Sequence, residues 1–132
     1  MPTDMPTDAN NDTQADLTGE PPIGRHLLAD LHDADIVVLC DLELIEAALI
    51  AAAKVAGATP VGQNFHHFGP GLGITGVVLL SESHISIHTW PERRFAALDV
   101  FMCGATQPEI AVDCVAAALR AKRVETKVVM RG

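Results

Sequence analysis

The stretch ITGVVLLSESHISIHTWPERRFAALDVFMCG, residues 74–104, decides the fold. ITGVVLLS is a run of β-branched and aliphatic residues, which favours a strand. SHISIHT alternates apolar and polar side chains, the period of a strand with one polar face. PERR reads as a turn, and FAALDVFMCG is a third apolar strand carrying one charge, Asp99. Three strands joined by short turns pair antiparallel.

Working outward, TPVGQNFHHF precedes this unit as another strand, linked to it by the glycine-rich turn GPGLG. Before it lies LELIEAALIAAAKVAG, with Leu42, Ile45, Leu49 and Ala52 at helical spacing, Asp41 as N-cap and Gly57 at the end. GRHLLADLHDAD gives a first strand. On the other side, Pro108 opens a helix through Ala121 with Ile110, Val112, Val115 and Leu119 inward, and RVETKVVM is a last strand. The expected class is therefore α/β: a two-layer α/β sandwich, a mainly antiparallel sheet with two helices on one face. Helices on one face leave the other to be covered, and its apolar content predicts a homodimer.

The chain has 132 residues, one domain's worth, with 48% hydrophobic and 20% charged residues. Its net charge of −8 argues against a nucleic-acid partner, because no basic stripe faces phosphates. Asp4, Asp8, Asp12, Asp16 and Glu20 fall in residues 1–22, which hold no Lys or Arg and almost no large apolar side chains. That segment is expected to be a disordered acidic tail, with the folded domain spanning 23–132. The MPTD tetrad occurs twice, so Met1 and Met5 are both candidate starts. No basic, apolar leader is recognisable and no apolar run reaches membrane-spanning length. Three cysteines, Cys40, Cys103 and Cys114, make no disulfide framework. The expected compartment is the cytoplasm, with no membrane partner.

The densest chemistry is SESHISIHTWPE, residues 81–92, with Cys103 on the next strand. Three readings compete. His66, His67, His84 and His88 offer imidazole for zinc, although His84 and His88 lie about 13 Å apart on an extended strand. Cys103 and His88 offer a nucleophile–base pair, without a recognisable oxyanion hole. The third reading is self-processing, in which a serine attacks the carbonyl before it. The resulting ester eliminates to dehydroalanine, which hydrolyses to a pyruvoyl group. That chemistry needs a serine, an oxyanion donor and a base for the α-proton. Ser83, Thr75 and His88 can fill those roles.

GRHLLADL, the string from Leu79 to Gly104 and the late AKRV resemble the small prokaryotic S-adenosylmethionine decarboxylase proenzymes. The resemblance runs from about Gly24 to Val124. It implies cleavage between Glu82 and Ser83, giving a β chain of residues 1–82 and an α chain of 83–132. It implies that Ser83 becomes the pyruvoyl group that forms a Schiff base with substrate, with no external cofactor and no metal. His88 is then the processing base, Cys103 the proton donor and Thr75 the processing support. Glu92 holds the ribose hydroxyls and Phe68 stacks on adenine. The product, decarboxylated S-adenosylmethionine, serves spermidine and polyamine synthesis. The family fold is a dimerising two-layer sandwich.

Two positions depart from the pattern. Thr75 stands where the family often has serine, and the Gly69–Gly73 turn beside Phe68 is longer and richer in glycine. Arginine or ornithine is the alternative substrate on this scaffold.

Overall fold

A computed structural model describes residues 19–132. Most of the expected acidic tail, residues 1–18, lies outside the described residues. The chain forms β1 (Gly24–His32), α1 (Ile36–Leu39), α2 (Leu42–Val55), β2 (Pro60–His67), β3 (Ile74–Leu80) and β4 (Ser83–Trp90). A 3-10 turn (Pro91–Arg93), β5 (Phe95–Cys103), α3 (Pro108–Ala118) and β6 (Arg123–Arg131) follow. The sheet order is β2-β3-β4-β5-β1-β6. Every neighbouring pair is antiparallel.

The period of two decides which face each side chain takes. Val78, Ile85, Val100 and Leu27 are fully buried or nearly so. They stand in one register row: Val78 opposite Ile85, Ile85 opposite Val100, Val100 opposite Leu27. Their neighbours Ile74, Ile87, Leu98, Ala29 and Leu31 share that face and are also buried. The helices cover it with Ile45, Leu49, Ala52, Val112, Val115 and Leu119. The opposite face carries Thr75, Val77, Leu79, His84, Ser86, His88, Trp90, Asp99, Phe101 and Cys103, half-buried or exposed. The two-layer reading therefore holds, and among the described residues no element covers the other face of the sheet.

Helical detail differs from expectation in three places. A third helix, α1, precedes α2; its N-cap Asp35 accepts from Val37 and Val38 N–H, a local side-chain signal inside an otherwise apolar run. In α3, Ile110 is 39% exposed while Ala111 is buried, so the inward stripe runs through 111, 112, 115 and 119. The helix stops at Ala118, because Arg120 turns left-handed with φ 57° and the chain must rejoin the sheet as β6. Asp41 caps α2 as read, accepting from Leu44 N–H.

One buried polar residue ties the layers. Thr89, 5% exposed, accepts a hydrogen bond from Ile74 N–H at 2.9 Å and donates to the Leu39 carbonyl at 2.8 Å. It links β4 to β3 and to the end of α1. Replacing it with valine keeps the shape but strands a buried donor and a buried acceptor. Thr89→Val is expected to destabilise the fold by about 2–4 kcal/mol, read from urea or thermal unfolding.

Candidate active site

The β3–β4 turn carries an unusual backbone. Glu82 has φ 62°, the left-handed region, without being glycine. Such a residue costs on the order of 1–3 kcal/mol and persists where surrounding structure imposes it. It begins the peptide bond to Ser83. Strand β5 delivers Cys103 beside this turn: its Sγ donates to the Glu82 carbonyl oxygen at 3.2 Å and lies 3.9 Å from Ser83 Oγ. Strained bond, hydroxyl and thiol thus meet in one place, with Ser83 and Cys103 half-buried.

Thr75 and His88 form a second group. They are register partners across β3 and β4, and Thr75 Oγ1 is 3.1 Å from His88 Nδ1. The His88 ring leans on Trp90, which stacks on Phe95. Phe68 and Glu92 belong to this end of the sheet. Phe68 N–H bonds the Gly73 carbonyl at the end of the glycine turn, and its exposed ring meets His66 edge-on at 4.5 Å. Glu92 is exposed in the 3-10 turn directly after β4. A cleft of about 400 Å³ lies here, lined by Asn64, His66, Thr75, Gly76, Val77, Ser86 and His88. Asn64 was not singled out as a site residue in the sequence, its only signal being alternation along β2, and His66 was considered only as one of four histidines for zinc.

The two groups do not meet within one chain. Ser83 and His88 are five residues apart on one strand, about 16 Å at the usual rise. Cys103 and His88 are likewise not a pair. His88 stands opposite Ala97, six residues from Cys103 along β5, or about 20 Å. Register rules out a nucleophile–base pair of those two residues within one chain.

The four histidines considered for zinc are also not gathered. His84 goes instead to Asp99 with His26. Asp99 Oδ1 accepts from His84 Nε2 at 2.7 Å and from His26 Nε2 at 2.8 Å, while Oδ2 accepts from Ser86 Oγ. His26 Nδ1 in turn accepts from the Arg131 guanidinium at 3.1 Å, which fixes the proton on Nε2. A metal ligand needs the reverse, a bare Nε2 and a donating Nδ1. Asp99 therefore takes its partners from β1 and β4, with His26, His84 and Ser86 as its hydrogen-bond donors.

Comparison with known proteins gives this geometry a context. The family model described as S-adenosylmethionine decarboxylase matches residues 25–132. An S-adenosylmethionine decarboxylase proenzyme of Thermodesulfovibrio yellowstonii is 50% identical over 101 residues, covering 76% of this chain and 74% of the relative. That of Thermotoga maritima is 48% identical over 103 residues, 77% of this chain and 78% of the relative. The crystal structure of the adenosylmethionine decarboxylase from Aquifex aeolicus superposes with a TM-score of 0.77 at 40% identity. It covers 86% of this chain and 93% of that one.

Burial pushes the Asp99 carboxyl up. The hydrogen bonds from Ser86, His26 and His84, and the nearby charge of His84, outweigh burial and hold it below the ordinary aspartate value. A depressed carboxylate contributes stability above its unfolded pKa and loses it as pH falls through the folded one. The melting-temperature gap between wild type and Asp99→Asn should therefore narrow on acidification from about pH 6 to about pH 3. A gap that stays constant would show that the carboxylate charge contributes nothing.

Proposed function

The chain belongs to the S-adenosylmethionine decarboxylase family, and from that premise we propose how its residues carry out the activity. It is a carboxy-lyase made as a proenzyme, and its relatives carry S-adenosylmethionine in their names, not arginine or ornithine. The observation that carries the reading is the contact of Cys103 Sγ with the carbonyl of the left-handed Glu82.

Ser83 Oγ attacks the Glu82 carbonyl carbon. Negative charge gathers on the carbonyl oxygen, where the Cys103 thiol already donates. The C–N bond breaks, the Ser83 amine takes a proton, and Glu82 is left as an ester on Ser83 Oγ. Release of the left-handed Glu82 relieves backbone strain and favours the forward direction. A base then removes the Ser83 α-proton. The Glu82 carboxylate leaves as the Cα–Cβ double bond forms, and hydrolysis of the resulting enamine releases ammonia and leaves a pyruvoyl group.

His88, held by the Thr75 hydroxyl, is the base, and it reaches Ser83 from a second copy of the chain. The bare sheet face supports this reading, since Leu28, Leu79 and Trp90 stand exposed on it. Each protomer carries two half-sites, one at each end of β4. One holds Glu82, Ser83 and Cys103; the other holds Thr75, His88, Phe68 and Glu92. A two-fold dimer is self-complementary. Laying one copy face to face on another, head to tail along β4, completes two sites at once.

The pyruvoyl ketone, formed from Ser83 without external cofactor, supplies an electron sink for decarboxylation. The chain's own residues do the rest. Cys103 Sγ holds the proton returned to the substrate carbon after carbon dioxide leaves. The exposed Phe68 ring, edge-on to His66, offers a free face to adenine, and the Glu92 carboxylate accepts from the ribose hydroxyls. The product feeds polyamine synthesis in the cytoplasm.

Intact mass tests the reading directly. Purified protein should run as two fragments, the C-terminal one starting at position 83 with an amine-free end, and Ser83→Ala should stay whole. Co-expression tests the shared site. His88→Ala alone should not cleave, but alongside Ser83→Ala its chain should, because one site of the mixed dimer then holds both Ser83 and the partner's His88. Absence of that rescue, with both chains folded, sinks the dimer.

A further inference from the structure

At the middle of the bare face lies a polar knot that the reaction scheme leaves unused. It spans four adjacent strands, from Arg131 on β6 through His26 on β1 and Asp99 on β5 to His84 and Ser86 on β4. Phe101 backs it, its ring 5.7 Å from His26 and 6.1 Å from His84. Every polar contact runs parallel to the sheet. None reaches into the helix-covered core, where this face's side chains cannot go.

The knot's position along β4 follows from the half-sites. If Ser83 of one copy meets His88 of the other, the two-fold axis crosses β4 midway between them, beside Ser86. Copies laid face to face share an axis parallel to the sheet, which here runs across the strands at that level, over Ser86 and its register partner Asp99. Ser86 and its partner Asp99 therefore face their own copies across the axis.

We propose that Asp99 is a positioning residue that sets the register in which two copies of the chain meet, so that His88 of one reaches Ser83 of the other. This rests on the shared-site reading above. Apolar contact is non-directional, and Leu28, Leu79 and Val77 alone would tolerate a slip of the two faces. A polar knot does not. Shifted along β4, its polar groups meet leucine, with a desolvation penalty for each one left unsatisfied. Centred on the axis, it meets polar groups of its copy. The sheet face thus carries an apolar field for affinity and one polar centre for alignment.

The test uses the full chain. Asp99→Asn keeps the size and the acceptor to the histidines but removes the charge and the acceptor to Ser86. Ser86→Ala is the milder second variant, read in the same way should the first fail to fold. Dimer dissociation is measured by sedimentation in the uncleavable Ser83→Ala background, and cleavage by intact mass at several protein concentrations. The expected result is a dissociation constant raised roughly tenfold or more, with cleavage slow in dilute protein and recovered on concentrating it. The His88→Ala and Ser83→Ala rescue is run beside it. Rescue without any Asp99 or Ser86 effect beyond about twofold overturns the positioning role while leaving the shared site standing. Slow cleavage at unchanged dimer affinity, or slow cleavage that concentration does not recover, also overturns it. Loss of the rescue itself removes the premise.

Discussion

Strand β4 is asked to satisfy two environments with eight residues. Ile85, Ile87 and Thr89 point into the core, where the first two are fully buried. His84, Ser86, His88 and Trp90 point the other way. Strict alternation makes this the only arrangement, since a slip by one residue would exchange the two sets entirely. Everything else hangs on that strand. Its first residue is the one proposed to be modified, its fourth bonds Asp99, its sixth is the proposed base, and the turn after it carries Glu92. The helices on the far face fix β4 by burying Ile85, Ile87 and Thr89, and so aim His84, Ser86, His88 and Trp90.

Holding β4 rigid is also what lets the turn before it stay strained. Glu82 in the left-handed region is imposed by pairing on both sides: Leu80 is bonded across to Ser83, and β5 runs alongside to bring Cys103 to the Glu82 carbonyl. A looser hairpin would relax by rotating this one residue. In the proposed processing step the relaxation comes when the peptide bond after Glu82 is exchanged for an ester. Ground-state strain, the nucleophile and the donor to the developing oxyanion are therefore products of the same two strand pairings.

Alternation, caps and turn residues made the sheet and the two long helices legible from residues alone, and Asp41 announced the start of α2. The short α1 was not, because its cap Asp35 sits inside DADIVVLCD, which reads equally as a loop with an apolar patch. Ile110 misled because a β-branched residue near a helix start looks inward until the helix docks, and docking turned Ala111 inward instead. In the site, Ser83, Cys103, Thr75, His88, Glu92 and Phe68 were named through resemblance to a family. Spacing alone left three chemistries open. What the residues could not reveal was which of these six stand together. Sequence distance suggested one cluster, whereas strand geometry divides them into two groups a strand's length apart. Asp99 stood out as the one charge on an apolar strand, but one of its partners came from a strand that sequence order keeps far away, since His26 and Asp99 meet only because β1 inserts between β5 and β6.

The division into half-sites follows from size as much as from chemistry. A domain of this length has enough apolar surface for one helical layer and one core. It has none left to roof a second face. A site on an open sheet is shallow, and a developing oxyanion or carbanion in open water gains little from the groups around it. In the proposed dimer a second copy covers the face and removes water without adding a residue to the gene. Two-fold symmetry imposes a condition in return: no point on one copy can meet itself except on the axis, so a nucleophile and its base must lie at equal distances on opposite sides of it. Ser83 and His88 meet that condition about Ser86. In the proposed dimer the axis runs across the strands at the level of Ser86 and Asp99, and there the chain puts a carboxylate held by donors from the two neighbouring strands.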